Sequence, residues 1–425
     1  MVKKASIIIF IFLALFFAGC SKDDGNNNTT DKTNDIETST SSGKQISLRW
    51  FNFQRELTDL TADLADAYME ENPNVTIEVE MIGDGYFDVI KARAASGDLP
   101  DIFNTRGYKG MEMYSAYMQD LSDEPFVDKM VEDIKLGLTL DGKILGVPYQ
   151  LSGWGIIYNK EIFKENGIVI PTTFTELKQV CNTLKAKGVT PFINQFKDSW
   201  MLGHLSGTGI ANIDKPMDFI SEVEDGNASF VNSPEMKYHL EFFDFILDNG
   251  QKNPLDDDWN SACSKMGLGE GAMMLEGIWV YDTIAAVNPE IKLGMFAVPY
   301  TDNQEETTIY ADFNGLWHVS KTTEYTEEAK MFLNWLVDST TSKTIIREAA
   351  LLPAYKGYKA DTHSVGIDIM GYIEEEKTKP FGWLLVPDAY ESEAGKAYQS
   401  YILEKTSHDE LLKTLTELVQ DLTMN

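Results

Sequence analysis

Positive charge is scarce in this 425-residue chain. Its 36 Lys and Arg stand against 67 Asp and Glu, a formal net charge of −31. A nucleic-acid surface needs a basic footprint, so that class of partner is set aside. The acidity reads as a solubility feature of an exposed protein. Cysteine and histidine are also sparse, at 3 and 5 residues. They show no metal-ligand spacing, so no metal and no other cofactor is expected. Cys181 falls on the apolar face of a predicted helix and reads as a buried free thiol. Past the first twenty residues there is no run of 18 apolar residues, so no transmembrane helix is expected in the body. The G-x-S-x-G elbow, the H-E-x-x-H pair and the phosphate loop are all missing. With so many acidic residues some carboxylate pair always exists, so such a pair argues nothing for a glycoside hydrolase. No enzymatic activity is expected.

What is present starts at the N-terminus. Lys3 and Lys4 precede an apolar run over 5–17, too short to span a bilayer, and Ala18-Gly19-Cys20 follow. This resembles a bacterial lipoprotein signal, which implies removal of 1–19 and lipidation of Cys20. Phe17 departs from the usual Leu. Loss of Lys3 and Lys4 takes the charge two units lower, to −33. Residues 20–44 hold one large apolar side chain, Ile36, and cannot offset their ordering entropy. They read as a disordered tether.

The remaining 380 or so residues exceed one ordinary core, which predicts two lobes. Residues 45–53 read as a strand and 58–71 as a helix carrying Leu60, Leu64 and Tyr68 at helical spacing. Val75, Ile77, Val79 and Met81 alternate as a half-buried strand, 87–95 reads as a helix, and 101–103 as a strand. That order predicts a parallel sheet with helices on both faces. Further on, 155–158 reads as a strand and 160–166 as a helix. Thr173 and Glu176 form a capping box before a helix with Leu177, Val180, Cys181 and Leu184 inward. Residues 234–249 read as a helix, 293–298 as a strand, and 394–422 as helices, while Thr326 is expected to cap a helix with Ala329, Phe332, Leu333 and Leu336 inward.

Several blocks in this order resemble a known family. They are Gly97-Asp98-Leu99-Pro100-Asp101, Gly146-Val147-Pro148-Tyr149 with Tyr158-Asn159-Lys160, Pro171-Thr172-Thr173-Phe174, Gly277-Ile278-Trp279, Ala297-Val298-Pro299 and Leu352-Pro353-Ala354. The chain resembles the extracellular solute-binding proteins of ABC importers, family 1, the group that includes maltose-binding protein. The resemblance implies an α/β, two-lobed periplasmic-binding-protein-like fold of type II, with ligand in the cleft between the lobes. It implies crossovers near 150–155, 288–292 and 310–315. Lobe one is expected over 45–149 plus 291–312, and lobe two over 151–290 plus 313–425. It also implies a monomer on the outer face of the membrane that captures a neutral mono- or oligosaccharide and passes it to ABC permease subunits. A polyamine or peptide-like osmolyte is the alternative ligand.

A sugar ring asks for aromatic platforms and fixed hydrogen-bonding groups. Trp279 and Trp383 stand where the family places ligand-facing aromatics. Trp154, between Gly153 and Gly155, and Trp200 join them; Trp50, Trp259, Trp317 and Trp335 read as structural. The polar candidates are Gln54, Asn104, Arg106, Gln150, Glu276 and Asn314. Asp101 reads as a structural cap and His204 as a satisfied core residue rather than a contact.

Overall fold

The computed structural model describes residues 44–425, apart from 84, 132, 314, 349–351, 357–361 and 425. The leader, Cys20 and the tether therefore lie outside the described residues. The order of elements begins as the sequence predicts. Strand Ile46–Asn52, helix Thr58–Glu71, strand Val75–Met81, helix Tyr86–Ser96 and strand Ile102–Thr105 follow one another. The three strands pair in parallel, with Ile46–Asn52 in the middle. Ile46, Leu48 and Trp50 face inward while Ser47 is exposed, the period of two that a half-covered strand requires. Leu64, Ala65 and Tyr68 give the first helix its buried stripe.

Two sheets organise the described residues. The first runs 75–81, 46–52, 102–105, 316–319, 147–148. The second runs 378–379, 309–313, 151–159, 271–277, 190–192, with 293–296 also paired to 151–159. Strand Leu151–Asn159 has neighbours along its whole length and is buried on both faces apart from Tyr158. Its apolar run is therefore nearly continuous rather than alternating.

This pairing corrects the expected division of the chain. The resemblance puts 291–312 in lobe one, yet Leu293–Phe296 and Ile309–Phe313 pair antiparallel with strand Leu151–Asn159 of the second sheet. It puts residues from 313 in lobe two, yet Leu316–Val319 joins the first sheet between Ile102–Thr105 and Val147–Pro148. The chain changes sheet between Pro148 and Leu151 and again between Phe313 and Leu316; near 290 it stays within the second half. Ala354 and Lys356 still pair with Val131 and Lys129 of the first half. Ser364 already bonds Leu293 of the second, so the last crossing lies between them.

Local signals fared well. Thr173 accepts from the Glu176 N–H at 3.1 Å, but the Glu176 carboxylate reaches back to Thr172, one residue earlier than a capping box predicts. Thr326 is the first residue of its helix rather than the cap, which is Tyr325. Cys181 and Cys263 are both free and buried. Asp101 is structural: it accepts the Arg49 N–H at 2.8 Å and the Thr323 hydroxyl. No helix among the described residues is long and apolar enough to cross a membrane.

Trp50 marks the core of the first half. It packs edge-on against Trp317 at 4.9 Å and Phe332 at 5.1 Å, and it is fully buried. Trp50→Ala should cost about 3–5 kcal/mol in urea unfolding, because a rigid site collapses poorly around the cavity.

Burial also sets the pH response. Desolvation lowers His239 to about 3 and His318 to about 4. It raises Glu276 to about 8 and Asp312 to about 7. The histidines stay neutral when folded while the unfolded chain protonates, so stability is lost as pH falls from about 6.5 towards 3. The carboxyls stay protonated when folded while the unfolded chain ionises, so stability is also lost as pH rises from about 4 to 8. Glu276→Gln should flatten the upper arm, by on the order of 1 kcal/mol per pH unit at its steepest, in denaturant midpoints taken between pH 5 and 8.

Candidate functional site

The two halves meet at the carboxyl ends of the first sheet's parallel strands, the position where open α/β sheets leave a crevice. A cavity of about 240 Å³ lies there, lined by Phe53, Gln54, Arg106, Trp200, His204, Trp279, Trp383 and Leu384. Phe53 and Gln54 follow strand Ile46–Asn52, and Arg106 follows strand Ile102–Thr105. Trp200 and His204 sit four apart on helix Ser199–Ala211 and so share one face. Trp279 follows strand Gly271–Gly277, and Trp383 belongs to a short 3₁₀ turn at Gly382–Leu384.

The rings form a packed wall. His204 stacks on Trp383 at 4.2 Å, and Phe381 stacks behind Trp383 at 4.3 Å. Trp200 and Trp279 meet His204 edge-on at 5.2 and 5.8 Å. Gly207 and Gly382 let the turn approach the helix, since a Cβ on either would strike backbone of the other segment. Arg106 bonds Glu391 at 2.9 Å and lies 5.2 Å from the centre of the Phe87 ring. Glu391 also faces His204 at 3.5 Å. Burial alone would raise Glu391, but Arg106 and His204 hold it down at about 2. Burial would lower Arg106, and Glu391 and Asp388 outweigh it. The wall thus offers flat apolar faces, amide and imidazole hydrogen-bonding groups, and one guanidinium already neutralised by a carboxylate.

Of the residues singled out in the sequence, the cavity gathers Gln54, Arg106, Trp200, Trp279 and Trp383. Four others are placed elsewhere. Trp154 is fully buried, edge-on to Tyr310 and Trp383. Its flanking glycines make room for protein rather than ligand: a Cβ at Gly153 would meet Ile369, and one at Gly155 the Phe296 carbonyl. Glu276 is buried under the strand, accepting the Gly277 N–H at 2.5 Å. Asn104 is buried with its backbone N–H and carbonyl both on the Tyr86 hydroxyl. Gln150 is buried in the first crossing. Asn314 lies outside the described residues.

His204 lines the cavity, so it is not the enclosed core residue expected. Phe53, Leu384 and Glu391 were missed. Phe53 carried a usable signal, being next to the end of a parallel strand. Glu391 carried none, because only the fold brings it to Arg106.

A larger cavity of about 920 Å³ opens on the other side of this contact, bordered by Tyr108, Tyr238, Tyr300 and Lys379 among others. Residues of both halves border it, Tyr108 and Leu136 from the first, but it contains no tryptophan. The smaller cavity combines three indole planes with fixed polar groups, and is the stronger candidate.

A family model for bacterial extracellular solute-binding proteins matches residues 54–341. The chain is 24% identical over 374 residues to the multiple sugar-binding protein of Streptococcus mutans, covering 85% of each chain. It is 21% identical to the melibiose/raffinose/stachyose-binding protein MelE of Bacillus subtilis, covering 89% of this chain and 87% of the relative. The solute-binding protein RafE in complex with raffinose superimposes with a TM-score of 0.74 at 21% identity, over 89% of this chain and 99% of that one. A Bacillus licheniformis sugar transporter in complex with stachyose gives 0.70 at 21% identity, over 88% and 100%. The two-lobed type II binding-protein fold is therefore the fold of this chain. With two-thirds of its length inside the family match, the chain belongs to the bacterial extracellular solute-binding proteins.

Proposed function

We propose that this chain is the extracytoplasmic sugar-capturing component of an ABC importer, a binding protein rather than an enzyme. The observation that carries this reading is the cavity in which Trp200, Trp279, Trp383 and Phe53 surround Gln54, Arg106 and His204 at the junction of the two halves. Aromatic faces suit the apolar face of a pyranose, and the polar groups suit its equatorial hydroxyls. Relatives named for melibiose, raffinose and stachyose favour a galactose-containing oligosaccharide. At about 240 Å³ the cavity takes one terminal ring, with further rings extending outward. Lobe one comprises 45–149 and 315–356, and lobe two 151–313 and 364–425. Closure of the lobes on the sugar presents the loaded form to permease subunits. The protein acts as a monomer, held to the outer membrane face by a lipid on Cys20 and spaced from it by 21–44.

A thermal-shift screen of the purified protein tests this directly. Raffinose or stachyose at about 100 times the dissociation constant should stabilise the fold by roughly 2.7 kcal/mol. A shift with a polyamine or amino acid, and none with any glycan, would overturn the sugar reading while leaving the fold untouched. Trp279→Ala should weaken glycan binding at least about tenfold in calorimetry, with the unfolding midpoint changed little because the ring is only half buried.

A further inference from the structure

The segment that follows strand Ile102–Thr105 grips the other half of the protein at three points. Arg106 Nη1 is 2.9 Å from Glu391 Oε2. The Tyr108 hydroxyl donates to Asp312 Oδ2 at 3.1 Å. Lys109 Nζ is 3.1 Å from Glu224 Oε2. The three carboxylates sit on three separate elements of the second half: helix Tyr390–Glu404, strand Ile309–Phe313 and helix Pro216–Glu224. Three of four consecutive positions of one half thus each reach a separate anchor on the other.

The segment is built for this. Tyr108 holds φ at +53°, a conformation that an aromatic residue adopts only when its surroundings demand it. Its N–H is fixed on the Gly137 carbonyl at 2.8 Å, and its ring stacks on Phe313. A Cβ at Gly107 would sit 2.3 Å from that Phe313 ring, so the close approach needs glycine. The ionic contacts are shielded: Lys109 and Glu224 are 27% and 11% exposed, and Arg106 and Glu391 25% and 14%. Pairs this enclosed are screened less by salt than surface pairs.

We propose that Arg106–Lys109 is an interlobe clasp, and that Glu224 and Asp312 act as positioning residues that set ligand affinity without lining the aromatic cavity. Each contact joins residues of the two halves, so each one favours the arrangement in which the halves meet. Apparent affinity scales with the closed fraction, so a weaker clasp lowers affinity although no ligand contact is lost. The affinity part rests on the sugar-binding reading; the conformational part does not.

Spin labels at Asp63→Cys and Glu241→Cys, both exposed and one in each half, report the distance between halves; the native Cys181 and Cys263 are buried. Glu224→Gln and Tyr108→Phe should each move the distance distribution of the ligand-free protein to longer values. Each should also weaken raffinose binding about threefold to tenfold. Glu112→Gln is the control, since Glu112 meets Lys109 at 3.3 Å within the same half, and it should shift neither reading. Unchanged distances in Glu224→Gln and Tyr108→Phe, with unfolding midpoints confirming folded protein, would overturn the clasp. So would an equal shift in Glu112→Gln. If no glycan binds at all, the sugar reading fails and the distances alone decide the clasp.

Discussion

Where the chain passes between its two sheets, it does so twice side by side. Leu151 pairs with Phe313 in the second sheet, and three residues earlier Pro148 pairs with Leu316 in the first. The two crossing segments are thus registered at both ends. Leu352 adds a third strand of backbone by accepting the Leu151 N–H at 2.8 Å, and Tyr355 bonds the Pro148 carbonyl at 2.8 Å. Everything else follows from this bundle of crossings. It brings the carboxyl ends of the first sheet's parallel strands opposite the tryptophans of the second half, with closely spaced crossings of the kind that serve as hinges.

The crossings also explain which parts of the sequence were readable. Elements made by local patterning were legible: helix Thr58–Glu71 and the alternating strand Val75–Met81 are where periodicity puts them. The allocation of 291–319 was not, because strands 293–296, 309–313 and 316–319 are all short and buried, and nothing in a short apolar run says which sheet will take it. Tertiary pairing decides that. Trp154 shows the same limit at the level of one residue. Two flanking glycines announce a close approach, but not whether a ligand or Ile369 makes it. Gln54 and Arg106 were singled out as loop residues after strands, Trp279 and Trp383 through the family resemblance and Trp200 as a loop tryptophan, and one cavity gathers all five. Glu391 sits 285 residues from Arg106, and such a pair has no local trace.

The cavity and the clasp share Arg106. On one side its guanidinium lines the aromatic cavity; on the other it is held by Glu391, with Asp388 nearby. Charge at the site is therefore balanced by the protein itself, which suits a neutral ligand: an anionic one would have to displace Glu391 from a buried pair, and breaking such a pair is costly. The acidity of the chain and the charge balance at this cavity are independent features.

The central claim is that ligand is held against the tryptophans at the junction of the two lobes. A crystal structure of the protein with a bound oligosaccharide tests it most directly. A sugar ring should lie against Trp279 and Trp383, with hydroxyls on Gln54 and His204 and with the lobes joined through Arg106. A sugar seated instead in the larger cavity beside Tyr238 and Lys379, with the tryptophan wall untouched, would contradict it.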